Sequence, residues 1–312
     1  MTGEIQVGTA SWTDKSLVAS KRFYPRGCNS AEARLRYYAD HFPMVEVDSS
    51  YYAMRSRTNA EKWVERTPDE FTFNIKAFRL FTGHQTPPKS LPADIQHELT
   101  WFFVGRQNVY YRDLPDEILD AMWERFRLAV EPLRDAGKLG AVHFQFPPWV
   151  VPSREWHAHI EECADRMKGY QLATEFRQQK WFDDEHCEAT LEFERQHNFA
   201  HVVLDMPQGF SNSLPQIWEA TSDNLTILRL HGRNTDTWDA KGQTAASERF
   251  NYDYSDEELE SFVQKMRRLS AHTALVQAIF NNNFEDQGQR NAETLKQALE
   301  GDAASPSGFA LT

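Results

Sequence analysis

Eight short apolar runs, each typical of a buried β-strand, recur along the sequence and limit its fold more than any other feature. Between them, apolar residues repeat at helical spacing, as in Leu259, Phe262 and Met266. Strands that alternate with helices form parallel sheets, and eight such units fit a closed barrel better than an open sheet. The predicted strands are Ile5–Ser11, Met44–Asp48, Thr72–Lys76, Ala141–Gln145, Gln171–Glu175, His201–Asp205, Thr226–His231 and Ala274–Asn281.

We therefore predict an α/β fold in which residues 1–312 form a single (β/α)8 barrel of the TIM type. An ordered core is expected from about residue 5 to 300, with a C-terminal tail of 301–312. An aromatic-rich insert, 83–114, follows the third strand and is long enough to contain small elements of its own. An open nucleotide-binding sheet is disfavoured, because no Gly-rich turn follows the first strand. Ser255 and Glu258 form a capping box that predicts the start of a helix.

Charge and cysteine content narrow the classes of partner. The chain has 34 basic and 46 acidic residues and a formal charge of −12, which disfavours loose attraction to nucleic acid or to anionic membranes. The start of the chain lacks the pattern of an export signal and no run is apolar enough to span a bilayer, so we expect a cytoplasmic protein without membrane association. Three widely spaced cysteines argue against a disulfide framework or a structural zinc site.

Polar and charged residues end the predicted strands, where a barrel of this type carries its active site. Because side chains alternate along a strand, Glu175 and Arg177 share one face, and so do Arg229 and His231. Several charges would thus meet in a small volume. Since buried unpaired charges are strongly unfavourable, the residues either neutralise one another as ion pairs or bind a charged ligand. The sequence leaves both alternatives open.

Under the functional alternative, each strand end receives a role. Acid or base catalysis is assigned to Glu46, Glu175, Asp205 and His231. Binding of an anionic group or other parts of the substrate is assigned to Lys76, Arg177, Arg229, Arg233, Asn281, Gln145 and Trp12. The segment 229–234 places two guanidinium groups and an imidazole in a region where barrels commonly bind phosphate. Trp12, Tyr51 and Trp149 are candidates for stacking on a sugar or a base.

No cofactor is predicted, and no metal ligand is assigned. Glu46, Glu175, Asp205 and His231 are of the types that bind divalent metals, but the strand ends lack paired histidines and carry two arginines. The oligomeric state is not indicated by the sequence.

Several motifs occur in consistent order over nearly the whole chain. They are Gly8-Thr9-Ala10-Ser11-Trp12, Val45-Glu46-Val47-Asp48-Ser49-Ser50-Tyr51-Tyr52, Phe144-Gln145-Phe146-Pro147-Pro148, Glu175-Phe176-Arg177, Arg229-Leu230-His231-Gly232-Arg233 and Phe280-Asn281-Asn282. These motifs resemble the YecE-like family, also called the domain of unknown function 72. The resemblance implies a TIM-barrel fold and no particular reaction. Departures from the family pattern include Tyr51-Tyr52, where a Phe-Tyr pair is usual, and the long insert after the third strand.

Three functions are consistent with these residues. The first is an enzyme, such as a hydrolase, lyase or isomerase, that acts on a phosphorylated or otherwise anionic small molecule by acid/base chemistry at the barrel mouth. The second is a protein that binds or processes single-stranded nucleic acid or nucleic-acid ends, which the net charge disfavours. The third is a ligand-binding barrel without catalysis.

Overall fold

The strands close into a barrel in which each strand pairs in parallel with its neighbours in the sequence and the last pairs with the first. This closed parallel sheet confirms the predicted TIM barrel. The computed structural model describes residues 2–236, 238 and 249–304, with the backbone alone for 303 and 304. The strands are β1 (Glu4–Ala10), β2 (Met44–Val47), β3 (Thr72–Lys76), β4 (Leu139–Phe146), β5 (Leu172–Phe176), β6 (Ala200–Asp205), β7 (Leu225–Leu230) and β8 (Leu275–Phe280).

Helices connect the strands and cover the outside of the barrel. Several begin with the expected side-chain caps: Ser153 accepts a hydrogen bond from the Trp156 amide, and Ser255 and Glu258 form the predicted capping box. The helices are α1 (Lys15–Ser20), α2 (Ala31–Ala39), α3 (Ser49–Tyr52), α4 (Arg57–Glu65), α5 (Ala93–Glu98), α6 (Asp116–Asp135), α7 (Arg154–Arg166), α8 (Cys187–Gln196), α9 (Asp256–Leu269) and α10 (Gln287–Ala304).

The predicted insert, 83–114, contains short elements of its own, as its length suggested. A bridge joins Thr86 to Val109, α5 lies between them, and single 3-10 turns form at Pro88–Ser90 and Tyr111–Asp113. At the other end of the chain, α10 continues to Ala304, past the predicted start of the tail at 301. The rest of that tail, 305–312, lies outside the described residues, as do 237 and 239–248 of the loop after β7.

The two faces of the strands differ in chemistry. Towards the helices, β-strand residues such as Phe73, Phe144 and Leu228 join the large outer hydrophobic core. Towards the barrel axis, a smaller apolar cluster that includes Ala141, Ala173 and Val202 occupies part of the interior. The remaining interior positions are polar, and they define the candidate site. None of the helices formed by the described residues is both long and apolar enough to cross a lipid bilayer.

Candidate active site at the barrel mouth

Four fully buried polar side chains from four strands meet inside the barrel and form the inner cluster: Glu46, His143, Glu175 and Arg229. Arg229 lies between the two carboxylates, with NH1 2.7 Å from Glu175 Oε2 and NH2 2.6 Å from Glu46 Oε1. His143 closes the ring from the other side. Its Nδ1 is 2.8 Å from Glu46 Oε2 and its Nε2 is 3.1 Å from Glu175 Oε2. Each carboxylate thus faces both a guanidinium and an imidazole.

The arrangement places one ring hydrogen of His143. An ionised carboxylate only accepts hydrogen bonds, so Nδ1 of His143 donates to Glu46. Nε2 lies 3.1 Å from Glu175 Oε2 without the geometry of a hydrogen bond. Both carboxylates of the inner cluster are thus paired with Arg229, and Glu46 is also hydrogen-bonded to His143.

Both carboxylates of the inner cluster are held in the ionised form. Burial alone would raise the pKa of Glu46, but Arg229 and then His143 outweigh it and hold the pKa below its ordinary value. For Glu175, burial is likewise outweighed by Arg177 and Arg229, and its pKa lies well below the ordinary value. The same carboxylates, with Asp48, raise the pKa of Arg229 in spite of its burial. These groups are poor proton donors at neutral pH.

Above the inner cluster, three charged side chains are partly open to solvent, and we call them the mouth group: Asp48, Lys76 and Arg177. Their side chains are 25%, 11% and 18% exposed. Lys76 Nζ lies 3.3 Å from Asp48 Oδ1, and the Arg177 Nε contacts Glu175 in the cluster below. Burial, with a further contribution from Glu46, raises the pKa of Asp48, and Lys76 only partly offsets this. Asp48 is therefore the carboxyl group at the mouth best suited to hold a proton.

His231 and Asn281 support Arg177 from behind. His231 Nε2 is 3.1 Å from Arg177 NH2, and its Nδ1 is 2.8 Å from the Asn281 side-chain amide. Because a guanidinium only donates, Nε2 of His231 accepts this hydrogen bond, and Nδ1 is paired with the side-chain amide of Asn281. Burial, together with Arg177 and Arg229, holds the pKa of His231 well below its ordinary value. With both nitrogens occupied, His231 is a neutral residue that positions Arg177 rather than a free acid or base.

Two of the residues assigned to the site lie on the other face of the sheet. Val202 and Leu204 of β6 face the interior, so alternation directs Asp205 towards the helices. There Asp205 accepts hydrogen bonds from Arg233 at 2.8 to 3.1 Å and from the Tyr254 hydroxyl at 2.6 Å. Gly232, with a φ of 83°, turns the chain so that Arg233 returns to this position. The prediction that Asp205 and Arg233 converge with Glu46 is wrong, because Asp205 pairs with Arg233, which also pairs with Glu258 of α9.

The structure also reassigns Trp12 and Arg229. Trp12 is buried in the outer core, where its ring meets those of Trp63 and Phe73 edge to face at 5.8 and 6.5 Å, so it does not line the mouth. Arg229 is fully buried and engages two carboxylates, so the predicted contact with an anionic ligand is not available to it. Gln145, by contrast, is half-buried on the interior face of β4 and pairs in register with Glu175.

His143 and His84 carried no assigned role at the level of sequence, and Tyr51 was expected only as a stacking group. His143 lies at the centre of the inner cluster. The one feature of the sequence that pointed to this position is strand alternation, which places His143 on the same face as Gln145. Tyr51 lies beside Lys76 and Arg79, whose charged groups are 5.4 and 5.2 Å from its ring centre. His84 packs against Tyr51, and burial together with Lys76 lowers its pKa to about 3. No spacing in the sequence predicts that Tyr51 and His84 lie close together, since it is the folding of the barrel that brings them into contact.

Metal binding finds no support in the part of the chain that the structure describes. In that part, no group of three or more His, Cys, Asp or Glu side chains is arranged to hold a metal ion. The carboxylates of the inner cluster are instead bound to Arg229 and His143.

The fold and the site together define a class: a (β/α)8 barrel with a cluster of buried, paired charges beneath a partly open, charged mouth. Residues 6–309 match the family described as "Protein of unknown function DUF72". The chain belongs to this family, which confirms the resemblance seen in the sequence motifs.

Individual relatives agree with this assignment. The UPF0759 protein YunF from Bacillus subtilis (strain 168) is 33% identical over 298 residues, which cover 95% of this chain and 94% of the relative. The crystal structure of a DUF72 family protein from Thermotoga maritima superposes with a TM-score of 0.73 at 26% identity and covers 95% of this chain and 99% of that one. A DUF72 family protein from Enterococcus faecalis has a TM-score of 0.76 at 24% identity, covers 95% of this chain and 96% of that one, and supports the fold alone.

Proposed function

We propose that the protein is an enzyme that acts on a phosphorylated or otherwise anionic small molecule at the C-terminal mouth of the barrel by acid/base chemistry. Lys76 and Arg177 contact the anionic group of the substrate. Asp48 acts as the general acid, and Glu46 and Glu175 fix the charge and position of the cations around it.

The observation that carries this proposal is a set of cations at one partly open site, beside a carboxyl group with a raised pKa. The inner cluster and the mouth group contain the carboxyl groups of Glu46, Asp48 and Glu175. Their cations are Lys76, Arg177 and Arg229. The charges balance when Asp48 is ionised, and one positive charge is left over when Asp48 holds a proton. An anion at the mouth would complete the neutralisation, in a place where burial makes electrostatic interactions strong.

The geometry favours Lys76 and Arg177 as the ligand contacts. Both are partly exposed, whereas Arg229 beneath them is sealed from solvent. His231 and Asn281 hold the guanidinium of Arg177 in place, which lowers the entropy lost when it binds a ligand. Arg79 adds a further cation beside Tyr51.

The role of Asp48 follows from its raised pKa. A general acid must hold its proton close to the working pH, and burial beside Glu46 brings Asp48 nearer to that condition than Glu46 or Glu175. Activity should therefore fall as the pH rises through the pKa of Asp48. Asp48→Asn should retain binding of the anion and lose turnover.

The test begins with the melting temperature of the purified protein in the presence of inorganic phosphate, sugar phosphates and nucleotides. We expect at least one of them to raise it, since a ligand that binds only the folded state stabilises that state. Lys76→Met should abolish the effect, whereas Lys168→Met, which removes an exposed lysine on the outside of the barrel, should not. If no phosphorylated compound raises the melting temperature, the proposal loses its basis. A compound that binds but is never converted would indicate a ligand-binding barrel without catalysis.

A further inference from the structure

A cavity lies outside the barrel, between the aromatic-rich insert and α7. This side cleft has a volume of about 440 Å³, a size typical of small-molecule sites. Its lining includes Tyr111, Trp149, Trp156, His159 and Glu162. The functional proposal for the barrel mouth makes no use of it.

The rings around His159 form the aromatic wall of the side cleft. The Tyr111 ring centre is 4.7 Å from that of His159, and the Trp156 ring centre is 5.5 Å from it, both edge to face. Leu114 and Leu119 add apolar surface. A ligand here therefore needs an apolar body that can lie against these side chains.

His159 offers an acceptor to the cleft. Its Nε2 lies 2.8 Å from the Phe81 carbonyl oxygen, which only accepts, so Nε2 carries the hydrogen. Burial lowers the pKa of His159 and outweighs the opposing effect of that carbonyl, so the ring is neutral. Its Nδ1 consequently presents a lone pair.

Glu162 offers a second acceptor beside the first. Its Oε1 accepts a hydrogen bond from the Tyr111 hydroxyl at 2.7 Å and is 3.3 Å from Arg166. Its Oε2 lies 3.9 Å from His159 Nδ1, and within the described parts of the chain no hydrogen bond reaches it. Two acceptors thus face each other across a gap, where neither can satisfy the other.

The charge around the cleft is also negative. Glu155, Glu162 and Asp116 contribute carboxylates. Arg112 contributes a guanidinium that is 80% exposed and lies 3.6 Å from Glu155 at the rim, and Arg166 pairs with Glu162 Oε1 at 3.3 Å. Three carboxylates against two guanidinium groups leave one negative charge. A group with several donors and a positive charge complements this arrangement. A primary ammonium has three donors on one compact atom, and aromatic walls attract cations.

We propose that the side cleft is a second ligand-binding site, which takes a primary amine with an apolar body, and that the ammonium group lies to one side of His159 Nδ1 and Glu162 Oε2 and donates a hydrogen bond to each. The Tyr111 and Trp156 rings wall this position, and the apolar body lies towards Leu114 and Trp149. This inference is independent of the anion proposed at the barrel mouth.

The test measures binding of 2-phenylethylamine and its neutral counterpart 2-phenylethanol to the full-length protein by isothermal titration calorimetry. We expect the amine to bind at least tenfold more tightly than the alcohol. Glu162→Gln keeps the shape and the acceptor for Tyr111 but removes the charge, so it should abolish that preference and leave binding of the alcohol unchanged. Glu161→Gln, on the same helix but outside the cleft, should behave like the wild type.

Two results would overturn the inference. If the unmodified protein binds amine and alcohol equally, the cleft does not recognise an ammonium group, and this comparison needs no variant to fold. If Glu162→Gln retains the preference for the amine, the ammonium binds elsewhere. Neither result affects the phosphate test at the barrel mouth, which depends on Lys76.

Discussion

At the scale of single residues, Arg229 balances the negative charges inside the barrel. Its guanidinium group pairs with the carboxylates of Glu46 and Glu175, and all three side chains are fully buried. Removing one partner of a buried ion pair leaves the other charge unpaired in the protein interior. This change destabilises the fold far more than replacing both partners by apolar side chains.

We therefore expect Arg229→Met to lower the free energy of unfolding by about 3–5 kcal/mol. Urea denaturation monitored by circular dichroism measures this. The control is Arg36→Met, which breaks an exposed pair with Glu32 and should change stability by less than about 1 kcal/mol. Equal losses in the two variants would show that the inner cluster is not under the electrostatic constraint inferred here.

The sequence identified Glu46, Lys76, Glu175, Arg177 and Arg229 as neighbours, because strand alternation is enough to place them on the interior face. It did not predict which of them ligands can reach. Sequence position does not show that Arg229 is buried beneath Arg177, whereas the Arg177 side chain is partly exposed. It also assigned Asp205 to the wrong face, because β6 is buried on both sides and has apolar residues on both, so its pattern does not show which face points to the barrel axis.

At the scale of elements, all eight strands and their order were predictable, and their ends were not. β4 begins at Leu139 rather than Ala141, because Gly140 continues the strand where a side chain has no room: a Cβ there would lie 2.5 Å from Asn74 Oδ1. Ser11, predicted as strand, has a φ of 101° and lies beyond the end of β1. Asp48 was predicted as the end of β2 and instead precedes α3, which explains why its carboxyl group reaches the mouth.

The capping box of α9 gives a prediction at this scale. Ser255→Ala should lower the free energy of unfolding by about 1 kcal/mol, because the side chain satisfies the Glu258 amide at the helix start. Ser261→Ala, a change in the middle of the same helix, should have a smaller effect. Matching unfolding curves for the two variants would contradict a stabilising cap.

At the scale of the whole molecule, the depressed pKa values of Glu46 and Glu175 link stability to pH. A carboxyl group with a lowered pKa in the folded state contributes stability above its unfolded pKa and loses it as the pH falls. The protein should therefore lose stability below about pH 5. Glu46→Gln should be less stable than the wild type at pH 7, and the difference in urea midpoint should shrink as the pH approaches 3. A difference that stays constant with pH would contradict this linkage.

The proposed anion site depends on the whole molecule, since its residues meet only when the barrel closes and brings β2, β3, β5 and β7 together. Its most direct test is a crystal structure of the protein with tungstate, a phosphate-like anion visible by anomalous scattering. We predict a peak at the barrel mouth within hydrogen-bonding distance of Lys76 Nζ and the Arg177 guanidinium, and its loss in Lys76→Met. Tungstate bound only to exposed arginines on the outer helices, with the mouth empty, would contradict the account.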